Sequence, residues 1–168
     1  MLLGVMSDTH GNNDLMFRVA EQMVNDLQVD WIYHAGDDYR DAELLDFSGY
    51  KVRAVPGLWC PQYNDGRTPR RILDEYDGFS VSMAHADKDL RSLELAATAV
   101  ITGHTHRARV EKVGRTLYLN PGHLKGLVDR GHPASFATLE FAPARVRASL
   151  HAIDGDILCE LTCDPADL

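Results

Sequence analysis

The chain is expected to fold as an α/β domain of two sheets packed face to face, with helices outside. Three features predict this. The first third alternates short apolar runs with helical repeats, the order of a parallel sheet with crossover helices. The remainder is mostly short apolar runs separated by turn residues. No linker, repeat or low-complexity tract divides the two parts, so residues 1–168 read as one domain.

Leu2, Leu3, Gly4, Val5 and Met6 form a buried strand that ends at Ser7-Asp8. Asn12-Asn13 offers a helix cap, because a short side-chain oxygen can accept from the free N–H groups of a first turn. Leu15, Met16, Val19, Ala20, Met23, Val24 and Leu27 recur at helical spacing and give this helix an apolar face for a sheet. Residues 31–34 predict a second strand ending at Gly36-Asp37, residues 42–47 a short helical segment, and residues 51–55 a third strand ending at Pro56-Gly57. Residues 58–71 form a long loop, and long loops in compact domains are often functional.

Residues 72–76 and 79–83 are expected to pair across Asp77-Gly78, which can supply the positive φ angles of a tight hairpin. Residues 87–97 predict a helix capped by Asp87, with Leu90, Leu93, Leu95 and Ala97 apolar. Residues 99–102 are a strand. Further strands are expected at 109–113, 116–119, 135–141, 146–153 and 157–162, with turns at Gly114-Arg115 and Asp154-Gly155-Asp156.

At 168 residues, 45% hydrophobic and 25% charged, the chain is long enough to bury a sizeable core. Its net charge of -8 argues against general nucleic-acid binding, which needs a basic stripe. A small phosphorylated partner remains compatible, since bound metals would reverse the local sign. The start lacks the basic segment of a secretory leader, and no apolar stretch approaches the roughly 20 residues of a membrane span. Cys60, Cys159 and Cys163 are expected to be free thiols in a reducing cytoplasm. The acidic surface and apolar C-terminal strands suit a monomer or a homodimer.

Five motifs carry most of the Asp, His and Asn chemistry: Ser7-Asp8-Thr9-His10-Gly11-Asn12, Ala35-Gly36-Asp37-Asp38, Ala84-His85-Ala86-Asp87, Thr102-Gly103-His104-Thr105-His106 and Leu119-Asn120-Pro121-Gly122. Four follow an apolar run. At a strand end, residues two apart point the same way, so Asp8 and His10 can grip one metal. His104 and His106, spaced by one residue after a glycine that lets the backbone approach closely, form a typical metal-ligand pair. Each motif alone has a plain alternative: a capped turn at Asp8, a Gly-Asp turn at Asp37, a structural His85. Together they deliver two Asp and four His to neighbouring strand ends, where ligands of open α/β sheets collect. Such a set suits a pair of divalent metals and phosphoester hydrolysis.

This ordered set, with Gly114-Arg115-Thr116-Leu117-Tyr118-Leu119-Asn120-Pro121-Gly122 and the segment from Arg130 to Phe141, resembles the calcineurin-like metallophosphoesterase superfamily. Within it the chain is similar to the small bacterial and archaeal phosphodiesterase branch, over residues 1 to about 141. The resemblance implies a four-layer α/β/β/α sandwich of two mixed sheets around a dinuclear centre. It implies that Asp8, His10, Asp37 and His106 hold the first metal, and that Asp37, His85 and His104 hold the second, with Asp37 bridging. A water or hydroxide between the metals would be the nucleophile, so Asp37, His85 and His104 act through it. The oxygen and nitrogen donors favour manganese, with iron, zinc or nickel as alternatives. Asn12, Arg107 and His123 are candidate contacts to a phosphorylated substrate. For Asn12 a helix cap is the competing role, and Asn120 is expected to fix the turn beneath the metals.

The sequence departs from the family at Val55-Pro56-Gly57-Leu58-Trp59-Cys60. Leu58 stands where the family carries an Asn that ligates the second metal, and an aliphatic chain offers no donor. Asn64 or Asp65, in the same loop, could fold back to replace it. Trp59 and Tyr63 could stack on a flat group or simply pack the loop. The competing reading is a scaffold or protein-binding module on the same fold, for which the retromer subunit is a precedent. Leu58 favours it, whereas retention of all six metal ligands favours the enzyme.

Overall fold

The computed structural model describes residues 1–168. In chain order its strands are β1 (Leu2–Met6), β2 (Trp31–His34), β3 (Val52–Ala54), β4 (Arg71–Tyr76), β5 (Phe79–Ala84), β6 (Ala99–Ile101), β7 (Arg109–Val113), β8 (Thr116–Asn120), β9 (Val128–Asp129), β10 (His132–Pro133), β11 (Ser135–Ala142), β12 (Arg145–Ala152) and β13 (Ile157–Cys163). The α-helices are α1 (Asn13–Glu21), α2 (Tyr39–Phe47) and α3 (Ser92–Leu95). Two mixed sheets result. One has the order β13-β12-β11-β1-β2-β3, with β1, β2 and β3 parallel. The other has the order β4-β5-β6-β8-β7, with β5, β6 and β8 parallel. A short ribbon, β9 with β10, stands apart.

The strand period of two sorts side chains between layers. Leu3 and Val5 of β1 and Tyr33 of β2 point at Val81 and Met83 of β5, Ala99 and Ile101 of β6, and Leu117 and Leu119 of β8. All are buried, and full burial of such a side chain is worth about 1.5–3 kcal/mol. The alternate residues Met6 and Ile32 point the other way, onto Leu15, Met16, Val19 and Ala20 of α1 and Leu45 of α2. The sheet edges are tied by polar groups: the Tyr33 hydroxyl donates to Asp74 Oδ2 at 2.6 Å, and Arg53 Nε donates to the same atom at 2.9 Å.

The first helix runs regularly to Glu21 and continues as a π-helical turn, Gln22–Asp26, so the apolar repeat out to Leu27 keeps its place on the sheet. Asp77 and Gly78 have φ of 52° and 86°, the backbone a tight hairpin needs, and they join β4 to β5 as expected.

The helix expected over 87–97 does not form as one piece. It is a 3₁₀ turn at Asp87–Asp89, an extended step at Leu90 and Arg91, and the single turn α3. Leu90 is drawn into a small apolar cluster with Ala84, Ala97 and Val100. Glu94 is tethered as well: its carboxylate accepts from Arg71 Nε at 3.1 Å, and its carbonyl accepts from Ser82 Oγ at 2.8 Å. The outer layer on the second sheet is therefore thinner than that on the first. No helix is long and apolar enough to cross a membrane.

Candidate metal centre

The residues that follow β1, β2, β5 and β6 meet at one edge of the two sheets. Asp8 follows β1 and is 1% exposed. Its Oδ2 accepts from Ser7 Oγ at 2.6 Å and from the His104 backbone N–H at 2.9 Å, and its Oδ1 lies 3.2 Å from His106 Nε2. His10 sets its Nδ1 2.8 Å from Asp37 Oδ2 and its Nε2 3.1 Å from His106 Nε2. His85, after β5, has Nδ1 2.9 Å from the Ala35 carbonyl oxygen. A carbonyl only accepts, so Nδ1 carries the proton and Nε2 keeps its lone pair for a ligand role. The His104 ring stands edge-on to His85, with centroids 5.2 Å apart.

Five of the six expected ligands have left-handed backbones: Asp8 (φ 53°), His10 (50°), Asp37 (101°), His104 (66°) and His106 (61°). For residues other than glycine this conformation costs roughly 1–3 kcal/mol each and persists where the surroundings over-determine it. Asp and His are among the types that tolerate it best. Two glycines let the loops close together. A Cβ on Gly103 would sit 2.0 Å from Ser7 Oγ and 2.8 Å from Asp8 Oδ2. One on Gly57 would sit 2.2 Å from the Asp37 carbonyl oxygen.

The donor atoms fall into two trios, Asp8-His10-His106 and Asp8-Asp37-His85, and within each all the atoms lie within 4.8 Å of one another. Asp8 is common to both. Asp37, expected to bridge, belongs to one trio and reaches the other through its contact with His10. His104 lies beside His85, outside both trios. Two imidazole Nε2 atoms at 3.1 Å, with carboxylate oxygens around them, make a donor set that fits a divalent cation.

The electrostatics agree. Burial alone would raise the Asp8 carboxyl, but its hydrogen bonds from His106 and Ser7 and the charge of His85 bring it below the usual carboxylate range. Burial raises Asp37 despite the opposing His10. Burial lowers His10 against the pull of Asp37, and burial together with His85 lowers His104, so both favour the neutral, ligating form. His106 is raised, first by its hydrogen bond with Asp8 and then, against burial, by Asp129.

Supporting residues were not legible as such in the sequence. Asp129 of β9 puts Oδ2 2.6 Å from His106 Nδ1, and Lys125 Nζ lies 3.1 Å from its Oδ1. Burial opposes ionisation of Asp129, yet Lys125 and His106 hold it down at about 2. Behind the site Thr9 Oγ1 donates to Asp41 Oδ2 at 2.5 Å and lies 3.2 Å from His34 Nε2. His34 Nδ1 accepts from the Gly36 N–H at 3.3 Å, and Asp41 Oδ2 also accepts from the Gly11 N–H at 2.8 Å. This chain ties the loop of Asp8 and His10 to the loop of Asp37. Asp41 precedes the helical segment expected at 42–47, and Asp129 lies in a stretch with no periodicity.

The three expected substrate contacts have the following surroundings. Asn12 is the cap of α1: its Oδ1 accepts from the Leu15 N–H at 3.4 Å, and its Nδ2 donates to the Lys125 carbonyl at 3.1 Å. Arg107 is exposed and lines a cleft with Arg109 and Tyr118 on the outer side of the second sheet. His123 is fully buried behind His106, with ring centroids 5.3 Å apart and Nε2 3.0 Å from the His132 carbonyl oxygen. Asn120 fixes its turn as expected, with Nδ2 donating to the Gly103 carbonyl at 2.8 Å and Oδ1 accepting from the Gly122 N–H at 3.0 Å.

Asn64 and Asp65 do not fold back to replace the ligand missing at Leu58. Asn64 Oδ1 accepts from Arg70 Nη2 at 2.9 Å, and Asp65 caps its own turn through the Arg67 and Thr68 N–H groups at 2.7 and 2.8 Å. Tyr63 packs the loop, its hydroxyl donating to Asp89 Oδ1 at 2.8 Å, whereas Trp59 is 89% exposed.

The sequence model of the calcineurin-like phosphoesterase superfamily domain matches residues 1–143. The chain is 32% identical over 137 residues to a probable metallophosphoesterase of Methanothermobacter thermautotrophicus, covering 73% of this chain and 76% of that protein. Its fold is similar to that of YfcE, a phosphoesterase from E. coli, with TM-score 0.74 and 22% identity over 96% of this chain and 98% of that one. It is also similar to the fold of Vps29 from Entamoeba histolytica in complex with zinc, with TM-score 0.70 and 21% identity over 98% and 99% of the two chains.

Proposed function

The chain belongs to the calcineurin-like phosphoesterase superfamily, and from that premise we propose that it is a dinuclear metal-dependent phosphodiesterase acting on a small phosphorylated metabolite or nucleotide. The observation that carries this reading is the convergence of Asp8, His10, Asp37, His85, His104 and His106 at the strand ends, five of them in strained backbone. Asp8, His10, Asp37 and His106 would hold one cation, and Asp37, His85 and His104 the other. Manganese is favoured, with iron, zinc or nickel as alternatives. When bound, such a pair supplies Lewis acidity at phosphorus and lowers the pKa of an attacking water.

The chain's own residues prepare that site. Ser7 and the His104 N–H occupy Asp8 Oδ2 and leave Oδ1 directed at His106. Proton donation from His85 Nδ1 to the Ala35 carbonyl leaves its Nε2 lone pair free to ligate. A bound cation would displace the proton that His106 Nε2 shares with Asp8, while Asp129 keeps the proton on Nδ1. The order of motifs, matched to the phosphodiesterase branch, supports a diester substrate. The three free thiols support assignment to a reducing cytoplasm.

Leu58 is the one feature that favours a second reading, a scaffold that has lost turnover. Hydrolysis of bis(p-nitrophenyl) phosphate, with added manganese and again with chelator, separates the two. A chelator-sensitive rate is expected; no rate with any of several metals would move the assignment to the scaffold.

A further inference from the structure

Residues 57–60 form a tight turn, closed by the Cys60 N–H donating to the Gly57 carbonyl at 3.1 Å. Both of its ends are fastened to the same atom. The Gly57 N–H donates to the Asp37 carbonyl at 3.2 Å, and the Cys60 thiol donates to that carbonyl as well. Leu58 and Trp59 are the two residues at the tip. The turn is braced from behind, since the 3₁₀ segment Pro61–Asn64 follows directly and Tyr63 is locked by its hydrogen bond to Asp89. Trp59 is thus the tip residue of a turn clamped onto an expected metal ligand, and it is 89% exposed.

Single exposed apolar side chains are common and need no explanation. This one differs in its mounting. The backbone under the indole is fastened to the Asp37 carbonyl, so a large flat ring is carried by the turn that adjoins an expected metal ligand. The neighbouring aromatic face is already occupied, with the Arg70 guanidinium 4.2 Å from the Tyr63 ring centroid. Trp59 is the free one.

We propose that Trp59 is a specificity-determining residue, a platform on which the heteroaromatic ring of a nucleotide-type phosphoester stacks while its phosphate lies at the metals. The proposal rests on the phosphoesterase reading above and narrows its substrate class. Stacking on an aromatic side chain is tolerant of base identity and depends on area, so the platform selects for a flat ring rather than for a sequence. Leu58 makes the tip apolar on both residues, which suits a ring face and not a sugar or an ammonium headgroup.

Binding is measured on the full chain with manganese, using adenosine 5′-monophosphate and ribose 5-phosphate as probes. Adenosine monophosphate is expected to quench tryptophan emission saturably and to bind more tightly than ribose 5-phosphate. Trp59→Ala should weaken it by roughly 5- to 100-fold and abolish the quench, while Trp59→Phe should retain most of the affinity. Ribose 5-phosphate should bind the wild type and Trp59→Ala alike. Equal affinity of the wild type for the two probes, or unchanged affinity of Trp59→Ala for the nucleotide, would overturn the platform. Absence of any nucleotide binding would overturn it too. Because the readout is binding, these outcomes are separate from turnover of bis(p-nitrophenyl) phosphate: a quench without turnover of that diester supports the platform and sinks the enzyme, and turnover without ring preference does the reverse.

Discussion

Asp129 Oδ2 lies 2.6 Å from His106 Nδ1, and the opposite nitrogen of that imidazole faces Asp8 Oδ1 at 3.2 Å. One carboxylate thus fixes the tautomer and tilt of a ring that a second carboxylate meets across the site. A partner of this kind raises ligand basicity, and its loss typically costs 10- to 100-fold in metal affinity. Asp129→Asn should therefore weaken metal binding by about that factor while leaving the fold intact, as read by calorimetric titration and circular dichroism. Unchanged affinity would show that His106 needs no such partner.

His34 gives a pH-dependent stability. Burial drives its pKa from 6.5 to about 4, although Asp41, Asp8 and Asp38 favour the charged form; His85 adds to the lowering. The unfolded chain takes up this proton near pH 6.5, whereas the folded chain resists until about pH 4. The His34 contribution is then fully present above pH 6.5 and is lost progressively as the pH falls toward 4, by about 3 kcal/mol at most. Urea denaturation of wild type and His34→Asn between pH 4 and 7 should show a shallower slope in the variant. Parallel profiles would remove His34 as the cause.

Gly103 is a packing requirement. Its missing Cβ would lie 2.0 Å from Ser7 Oγ and 2.8 Å from Asp8 Oδ2, the two atoms that bond each other and shape the first ligand. Gly103→Ala should cost about 1–3 kcal/mol of stability, by analogy with overpacked cores, and lower metal affinity with it. A variant with wild-type stability and affinity would show that the two loops can separate without loss.

Leu58→Asn would add an amide oxygen on the turn that is clamped to Asp37. It should tighten the weaker of the two metal sites, seen as a rise in metal retained after dialysis. No rise would mean that the turn holds residue 58 out of reach of the cluster.

The strands, and the clustering of Asp8, His10, Asp37, His85 and His106, were legible because both signals are local: apolar runs of strand length, and Asp or His at their ends. Asp77-Gly78 was legible for the same reason, since the backbone it needs is written in two residues. The helix expected over 87–97 failed because long-range contacts compete with local periodicity, through Leu90 in its cluster and Glu94 on Arg71. The surroundings of His123, Asp41 and Asp129 were illegible for a different reason. Their roles depend on partners 17, 32 and 23 residues away in sequence, at His106, Thr9 and His106, and nothing in their own neighbourhoods announces them. Asn12 had two legible roles, and the one the structure shows is the helix cap, its Oδ1 accepting from the Leu15 N–H.

Six side chains are expected to hold two cations, with Asp37 reaching both positions. Manganese bound per chain, measured by equilibrium titration on the wild type and on Asp37→Ala, tests it most directly. Two ions on the wild type and loss of both on the variant are predicted. Stoichiometric metal retained by Asp37→Ala, or none on the wild type, would contradict it.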